Sequence, residues 1–347
     1  MLARHLRTAA VSAAACTALV LPAAPASAEA TVSDPLLDGL VSPLGLAVGD
    51  DGTIYVAQSF AGLITTLDKH GDVSTVEPGG FPTGVAAEGR GTFSFTLTGD
   101  PPQGAYRMLP NGRTKFLGDT SSIELDENPD GEVMYGFAEG GPEGCPLPPP
   151  EPGDVNPNAY ALAILPDGSR VVADAGGNDL LRVAANGHVS VLAVLPPVPV
   201  TVSDVAAAAF ELPDCAVGAT YLLHPVPTDV EVGPDGMLYV SSLPGGPEDP
   251  EGAAALGSPG GVFRVDPATG DVSRVASGFL GAVDLAVAPD GTIYVAELYA
   301  NRISKVVGDG AEPVVDLPMP GALEWADGML YATAGIFDSG SVVTITP

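Results

Sequence analysis

Residues 288–310 read APDGTIYVAELYANRISKVVGDG, and closely similar segments recur along the chain. Residues 49–72 read GDDGTIYVAQSFAGLITTLDKHGD, residues 166–187 read PDGSRVVADAGGNDLLRVAANG, and residues 234–240 read PDGMLYV. Each copy contains an Asp-Gly or similar turn followed by a segment of alternating apolar and polar residues, which is typical of a β-strand. Such internal repetition indicates one structural unit built several times.

Alignment on the turns gives six units, and each holds four short strand-like segments within roughly 40 residues. The units begin near residues 42, 81, 158, 226, 281 and 320. Glycine and Asp-Gly pairs suit the two-residue hairpins between strands, which need positive φ angles. This pattern predicts an all-β, six-bladed β-propeller with four-stranded blades.

The last unit stops after its third strand, GSVVTITP at residues 340–347. The segment ATVSDPLLDGL at residues 30–40 resembles the fourth strands of the other units. We therefore predict that an N-terminal strand closes the last blade, because a closed ring leaves no unpaired strand edge.

Residues 1–28 have the features of a cleaved signal peptide, with Arg4 and Arg7 before an apolar run and the small residues ASA at 26–28. We predict a secreted, extracellular protein whose residues 29–347 form one propeller domain. No later segment is long enough to span a membrane. The formal net charge of −30 argues against nucleic acid and anionic membrane partners. We expect a monomer that binds a small molecule or a protein.

Three long segments interrupt the repeats, at residues 119–157, 197–224 and 243–260. The order of strands in a blade places all three on one face of the propeller, called here the loop face. Long loops on one face favour a functional role for that face. Cys145 and Cys215 lie in two of these segments, and in an oxidising exterior they are predicted to form a disulfide.

Carboxylates stand at corresponding places in several units. Asp174 and Glu297 end second strands, while Asp229 and Asp284 lie near the starts of first strands, which line the central channel. We predict that these four meet at the channel mouth, where they would suit calcium. The alternative is that strand-end carboxylates accept hydrogen bonds from backbone amides between blades.

Three further residues are candidates for ligand contact on the loop face. Gln58 and Ser242 end second strands in the same way as Asp174, and His224 precedes the fourth unit. Histidine can serve as a ligand or a base near neutral pH. The sequence contains no nucleophile elbow, phosphate-binding glycine loop or metallopeptidase motif, so the catalytic residues of any reaction remain unknown.

The segments VVADAGGNDLLRV at residues 171–183 and IYVAELYANRISKV at residues 293–306 resemble the NHL-type repeat. The order of these phrases along the chain is similar to that of the ScyD/ScyE-like family of secreted proteins. This resemblance implies an exported six-bladed propeller of unsettled biochemical role. The family is named for its association with the biosynthesis of the pigment scytonemin.

Two functions from different classes follow. The first, which we favour, is a non-enzymatic propeller that binds a ligand or a protein through its loop face. The alternative is a metal-dependent lactonase or esterase-type hydrolase on a gluconolactonase or strictosidine synthase-like scaffold, in which a channel metal polarises a carbonyl. That alternative requires Glu, Asn and Asp ligands from separate blades, whereas Asn178 and Asn301 belong to the NHL-like loops.

Overall fold

The computed structural model of the protein describes residues 30–99, 102–138, 141–247 and 249–347. The predicted signal peptide, residues 1–28, lies outside the described residues. Strands account for 50% of the chain and helices for 8%. The prediction of an all-β fold is confirmed.

The first half of the described chain contains two leading strands, two four-stranded antiparallel sheets and the first long insertion. The leading strands are β1 (Thr31–Val32) and β2 (Leu37–Leu40). The first sheet comprises β3 (Pro43–Val48), β4 (Ile54–Gln58), β5 (Leu63–Leu67) and β6 (Val73–Val76), with a 3-10 turn at Ser59–Ala61. The second comprises β7 (Phe81–Gly89), β8 (Thr92–Thr98), β9 (Gly104–Met108) and β10 (Thr114–Asp119). The insertion adds α1 (Ser121–Glu127), β11 (Met134–Phe137) and β12 (Glu151–Pro152).

The second half continues the same pattern. The third sheet comprises β13 (Ala159–Ile164), β14 (Arg170–Asp174), β15 (Asp179–Val183) and β16 (Val189–Val194). The second insertion adds β17 (Val198–Thr201), α2 (Asp204–Ala209), a 3-10 turn at Asp214–Ala216 and β18 (Thr220–Leu223). The fourth sheet comprises β19 (Pro227–Val232), β20 (Leu238–Ser242), β21 (Gly260–Val265) and β22 (Val272–Phe279), with α3 (Pro250–Ala255) between β20 and β21. The fifth comprises β23 (Ala282–Val287), β24 (Ile293–Glu297), β25 (Arg302–Val307) and β26 (Gly310–Asp316), and the sixth contains β27 (Leu323–Ala326), β28 (Met329–Ala334) and β29 (Gly340–Thr346). None of the helices in the described ranges is long and apolar enough to cross a membrane.

The first strands of the six sheets contact one another in a closed cycle. The contacts run from β3 to β7, β13, β19, β23 and β27, and β27 returns to β3. Close approach of these strands explains two glycines: a Cβ on Gly84 would lie 2.6 Å from Cα of Ala161, and one on Gly45 would overlap the carbonyl oxygen of Thr83. A ring of radially arranged antiparallel sheets is the architecture of a β-propeller.

The N-terminal strands close the sixth sheet. Strands β1 and β2 both pair antiparallel with β29, with Thr31 opposite Thr346 and Leu37 opposite Val342. Leu37 and Leu40 are buried against the first sheet and β29. The predicted closure by residues 30–40 is therefore confirmed.

The long insertions pack against one another. Strands β11 and β12 from the first insertion join β17 and β18 from the second in one antiparallel sheet of order β12-β11-β18-β17. Helix α2 of the second insertion contacts α3 of the third. Cys145 and Cys215 form the predicted disulfide, with a Cα–Cα distance of 5.7 Å. The insertions thus form one small layer of their own, which we call the insertion layer.

Candidate functional site

The last residues of four second strands bind the backbone that enters their own sheet. The pairs are the N–H of Val41 donating to Oε1 of Gln58 (2.7 Å), the N–H of Asn158 to Oδ1 of Asp174 (2.7 Å), the N–H of Leu280 to Oε2 of Glu297 (2.7 Å), and Oγ of Ser242 donating to the carbonyl of Pro225. Because these contacts recur at corresponding positions, they fix the connection between successive sheets. Gln58 and Ser242 were predicted to contact a ligand on the loop face. In the structure both side chains hold the backbone at the entry to their own sheets.

Glu297 is occupied by a further set of partners. Its side chain is fully buried and accepts hydrogen bonds from Nε of Arg302 (2.7 Å) and from Oγ of Ser304. The expectation that Glu297 and Asp174 would meet Asp229 and Asp284 at the channel mouth is corrected by this structure. Both strand-end carboxylates turn towards backbone amides, which was the alternative interpretation.

Asp229 and Asp284 do line the central channel. The cavity there has a volume of about 220 Å³, and Glu231 and Glu324 join the two aspartates in its wall. The rest of the wall is mainly Gly, Ala and aliphatic residues from the first strands. Sequence reasoning missed Glu231, although its position two residues after Asp229 places it on the same face of strand β19.

Burial raises the pKa values of these four carboxyls, and repulsion by neighbouring carboxylates adds to the shift for Glu231, Asp284 and Glu324. Burial raises the pKa of Asp229 to about 7, and burial together with Asp229 raises the pKa of Glu324 to about 8. Asp284 and Glu231 are also shifted well above their ordinary pKa values, chiefly by burial. Asp229, Glu231 and Glu324 keep partial contact with the channel space, so water there weakens these shifts.

A pH dependence of stability follows from these raised pKa values. In the unfolded chain the carboxyls titrate near pH 4, whereas in the folded protein they hold their protons to higher pH. Their stabilisation of the folded state is therefore complete below about pH 4 and is lost as the pH rises through the folded-state pKa values. Between pH 5 and pH 8.5 we expect the free energy of unfolding to fall by about 1–3 kcal/mol from this source. Urea denaturation at several pH values gives the free energy of unfolding of the parent and of the Asp284→Asn, Glu324→Gln double variant, which should depend less on pH. Equal pH profiles for the two proteins would contradict this assignment.

The channel does not supply the ligand set that the hydrolase alternative requires. Among the described residues, its wall contains the four carboxyls but no Asn. Asn178 and Asn301 instead accept backbone hydrogen bonds from Val226 (3.1 Å) and Met319 (2.8 Å), respectively. Across the described ranges no three His, Cys, Asp or Glu side chains are already arranged as a metal shell.

A second group of carboxylates lies beneath the insertion layer, around the connection between β14 and β15. Glu124, Asp130, Asp174 and Asp179 each have no exposed side-chain surface, and we call them the buried acid cluster. Burial and then Asp174 and Asp130 raise the pKa of Glu124 to about 7. Only Asp174 could be identified as a candidate from the sequence. Glu124 and Asp130 stand in an insertion without repeats, where no periodic pattern shows which side chains point inward.

His224 connects this cluster with the loop face. The N–H of Val226 donates to Oδ1 of Asn178, so the Asn178 amide nitrogen faces Asp130 Oδ2 (2.8 Å) and His224 Nδ1 (3.0 Å). Nδ1 of His224 therefore accepts a hydrogen bond, and the neutral ring carries its proton on Nε2. Burial lowers the pKa of His224, which keeps the ring neutral near pH 7. The ring stacks on Tyr135, with centroids 3.7 Å apart.

His224 also lines an apolar cavity of about 490 Å³ within the insertion layer. Much of the wall is aromatic or aliphatic, and its larger apolar members are Phe137, Val200, Val202, Phe210, Leu212, Tyr221, Leu223 and Leu256. These residues come from the insertions that were predicted to share the loop face. The structure thus places His224, alone among the three predicted loop-face ligands, in the wall of this cavity.

Comparison with known proteins supports the fold and leaves the function open. No protein-family model matches the sequence, and no curated protein is detectably similar to it in sequence. Similar solved structures are gluconolactonase-like and virginiamycin B lyase β-propellers. They support the β-propeller fold, and they give no support to the finer resemblance to the ScyD/ScyE-like family.

Three of these structures illustrate the likeness. A gluconolactonase from Xanthomonas campestris is 15% identical with a TM-score of 0.55, covering 90% of this chain and 88% of the other. Virginiamycin B lyase from Staphylococcus aureus, an inactive variant with quinupristin, is 14% identical with a TM-score of 0.53, covering 92% and 100%. A putative oxidoreductase (glucose dehydrogenase) from Thermus thermophilus is 18% identical with a TM-score of 0.55, covering 91% and 100%. At such identities the likeness concerns the fold alone.

Proposed function

We propose that this chain is a secreted six-bladed propeller, similar to the ScyD/ScyE-like proteins, that binds a small uncharged apolar molecule in the cavity of its insertion layer. The observation that carries the proposal is the cavity itself. Its volume of about 490 Å³ lies within the range of small-molecule sites, and its wall is largely apolar with few polar groups. The acidic chain disfavours anionic ligands, and the apolar wall disfavours a charged ligand of either sign, so the proposed occupant is a neutral molecule.

The polar groups of the cavity wall specify the chemistry of the ligand further. His224 is neutral and offers the Nε2 proton as a donor, because Asn178 occupies Nδ1. Tyr221 and Thr201 add hydroxyl groups to the wall. Aromatic side chains around a single imidazole donor suit a planar or alkyl-substituted molecule with one carbonyl or ether oxygen.

Binding of a neutral apolar fluorophore tests this proposal. N-phenyl-1-naphthylamine is expected to bind with increased fluorescence, and Val200→Trp is expected to weaken binding at least about tenfold because the larger side chain fills the cavity. Val200 lies on β17 in the cavity wall. The matched control is Val191→Trp on β16, a partly exposed position outside the wall, which should leave binding unchanged.

Two outcomes would overturn the binding function. One is the absence of saturable fluorescence with the folded parent protein. The other is equal weakening by both tryptophan variants, because that would show that the dye does not report on this cavity. Circular dichroism of each variant confirms that the fold is retained.

The metal-dependent hydrolase ranks second. In its favour, a gluconolactonase is among the similar structures. Against it, the described channel wall carries four carboxyls without the Asn ligand that the reaction scheme needs. Turnover of a simple lactone that is lost in Asp229→Asn would support this function over simple binding.

A further inference from the structure

We propose that the buried acid cluster binds one calcium ion. Glu124 comes from helix α1, Asp130 from the turn after it, Asp174 from the end of β14 and Asp179 from the start of β15. The site therefore joins the first insertion to the third sheet. It is separate from the central channel and does not depend on which molecule occupies the apolar cavity.

The four carboxyl groups converge on the short connection between β14 and β15. Asp174 and Asp179 are opposite one another in the strand register. In the connection, the N–H of Gly177 donates to Oδ1 of Asp174 (3.0 Å), and the side chain of Asn178 donates to Oδ2 of Asp130 (2.8 Å). The residues of the connection, 175–178, thus lie at the centre of the cluster.

The unpartnered oxygens of the cluster point to a missing positive charge. Six carboxyl oxygens have no hydrogen bond of normal geometry: both of Glu124, both of Asp179, Oδ1 of Asp130 and Oδ2 of Asp174, although the backbone of Asn156 lies close to the Glu124 carboxyl. Among the described residues, no Lys, Arg or His forms an ion pair with any of the four. Burying several carboxylates without a counter-charge is very costly, and a bound cation removes that cost.

The backbone leaves room for these carboxyl groups. A Cβ on Gly177 would overlap Oε1 of Glu124, and a Cβ on Gly153 would overlap Oδ1 of Asp130. The two crowded oxygens are both among the six without a partner. Glycine at these two positions allows the chain to approach the carboxyl groups closely, as it does around bound ions.

The donor chemistry selects calcium among common ions. All of the free donors are carboxyl oxygens, and six such oxygens match the six to eight that calcium takes. The nearby imidazole does not compete as a ligand, because Nδ1 of His224 accepts from Asn178, and this disfavours zinc and copper. Among the described residues, no three acidic or imidazole side chains are already arranged as a metal-binding group. Calcium binding therefore requires the carboxyl groups of the cluster to rearrange around the ion.

The ion would also stabilise the insertion layer. While Oδ1 of Asp130 is free for the ion, Oδ2 accepts from the hydroxyl of Tyr135 (3.0 Å) and from Asn178. Tyr135 in turn stacks on His224 in the wall of the apolar cavity. Calcium would thus fix the floor of that cavity through Asp130.

Calorimetric titration and thermal melting of the whole protein test this inference. We expect one calcium ion per chain and a rise in melting temperature of about 5 °C at saturating calcium relative to EDTA. In Asp179→Asn the calcium affinity should fall at least about tenfold, since a ligand charge is lost. In EDTA the same variant should melt no lower than the parent, because one of four mutually repelling carboxyls is neutral. Replacing a purely structural aspartate would lower the melting temperature both with calcium and in EDTA.

The matched control neutralises the channel instead. The Asp229→Asn, Asp284→Asn double variant should keep the parent stoichiometry and affinity, since neither residue belongs to the cluster. No saturable binding at about 5 mM calcium, or binding that survives both Asp179→Asn and Glu124→Gln, would overturn the inference. Loss of binding in the channel variant alone would also overturn it. If Asp179→Asn fails to fold, Glu124→Gln provides the same comparison, and dye binding to the cavity is scored separately in EDTA.

Discussion

The double replacement Leu37→Ala and Leu40→Ala is expected to lower the free energy of unfolding by about 4–6 kcal/mol, since each buried leucine loses its packing and leaves a cavity. Both side chains lie on strand β2, which pairs with β29 and packs against the first sheet. Loss of this packing weakens the junction at which the two ends of the chain complete the ring. Trp325, the only tryptophan of the chain, lies in the same sheet and reports unfolding by fluorescence in urea.

The control for this prediction is Leu36→Ala, one residue before the strand. Leu36 is 42% exposed, and its replacement should cost less than about 1 kcal/mol. Comparable losses from Leu36→Ala and from the double variant would show that the N-terminal segment contributes through its composition, without specific closure of the sheet.

Glu297→Ala is expected to cost about 3–5 kcal/mol, because it removes the buried partner of a half-buried ion pair and leaves several donors unpaired. The side chain is fully buried and accepts from Arg302, Ser304 and the N–H of Leu280. Glu297→Gln keeps an acceptor for the backbone amide and should lose less. Equilibrium unfolding in urea measures both variants.

Glu312→Ala provides the surface comparison within the same sheet. Glu312 pairs with Lys305 at 2.8 Å, but its side chain is 53% exposed, so the loss should stay below about 1 kcal/mol. If Glu297→Ala were as mild as Glu312→Ala, the strand-end carboxylate would not anchor the connection between sheets. A role for Glu297 in ligand binding would then have to be reconsidered.

The repeat could be predicted from the sequence because its turns have local causes. Asp51, Asp167, Asp235 and Asp290 each accept a hydrogen bond from the backbone N–H two residues later. Such bonds depend on neighbours in sequence and hence show as Asp-Gly pairs. The alternation of strand residues is an equally local pattern. The closing N-terminal strand was predicted from the missing fourth strand of the last unit, since its partner β29 lies at the other end of the described chain.

The sites were harder to predict because they depend on where side chains point. Asp174 and Asp229 are both acidic residues near strand ends, yet one lies beneath the insertion layer and the other in the channel. Strand periodicity specifies the face of a sheet but not the rotamer at its last residue. Glu324 was missed for a different reason, because its sheet has the weakest repeat and its neighbour Trp325 indicated packing.

The sequence predicted a candidate functional face formed by the insertions, but not the architecture of the insertion layer. Its pairing of β11 with β18 joins residues about 85 positions apart, between segments that share no repeat. Apolar segments such as residues 198–202 and 219–223 indicate strands, but nothing local indicates which partner each one finds. The pairing arises from long-range packing around residues such as Phe137 and Tyr221.

The disulfide between Cys145 and Cys215 spans 70 positions of the chain and encloses all four strands of the third sheet. A single cut in the backbone anywhere between these two residues therefore yields two pieces that stay covalently joined. Such a nicked molecule would migrate as one species on a non-reducing gel and separate only after reduction. A single hydrolytic event at either end of the third sheet thus cannot sever that sheet from the rest of the ring.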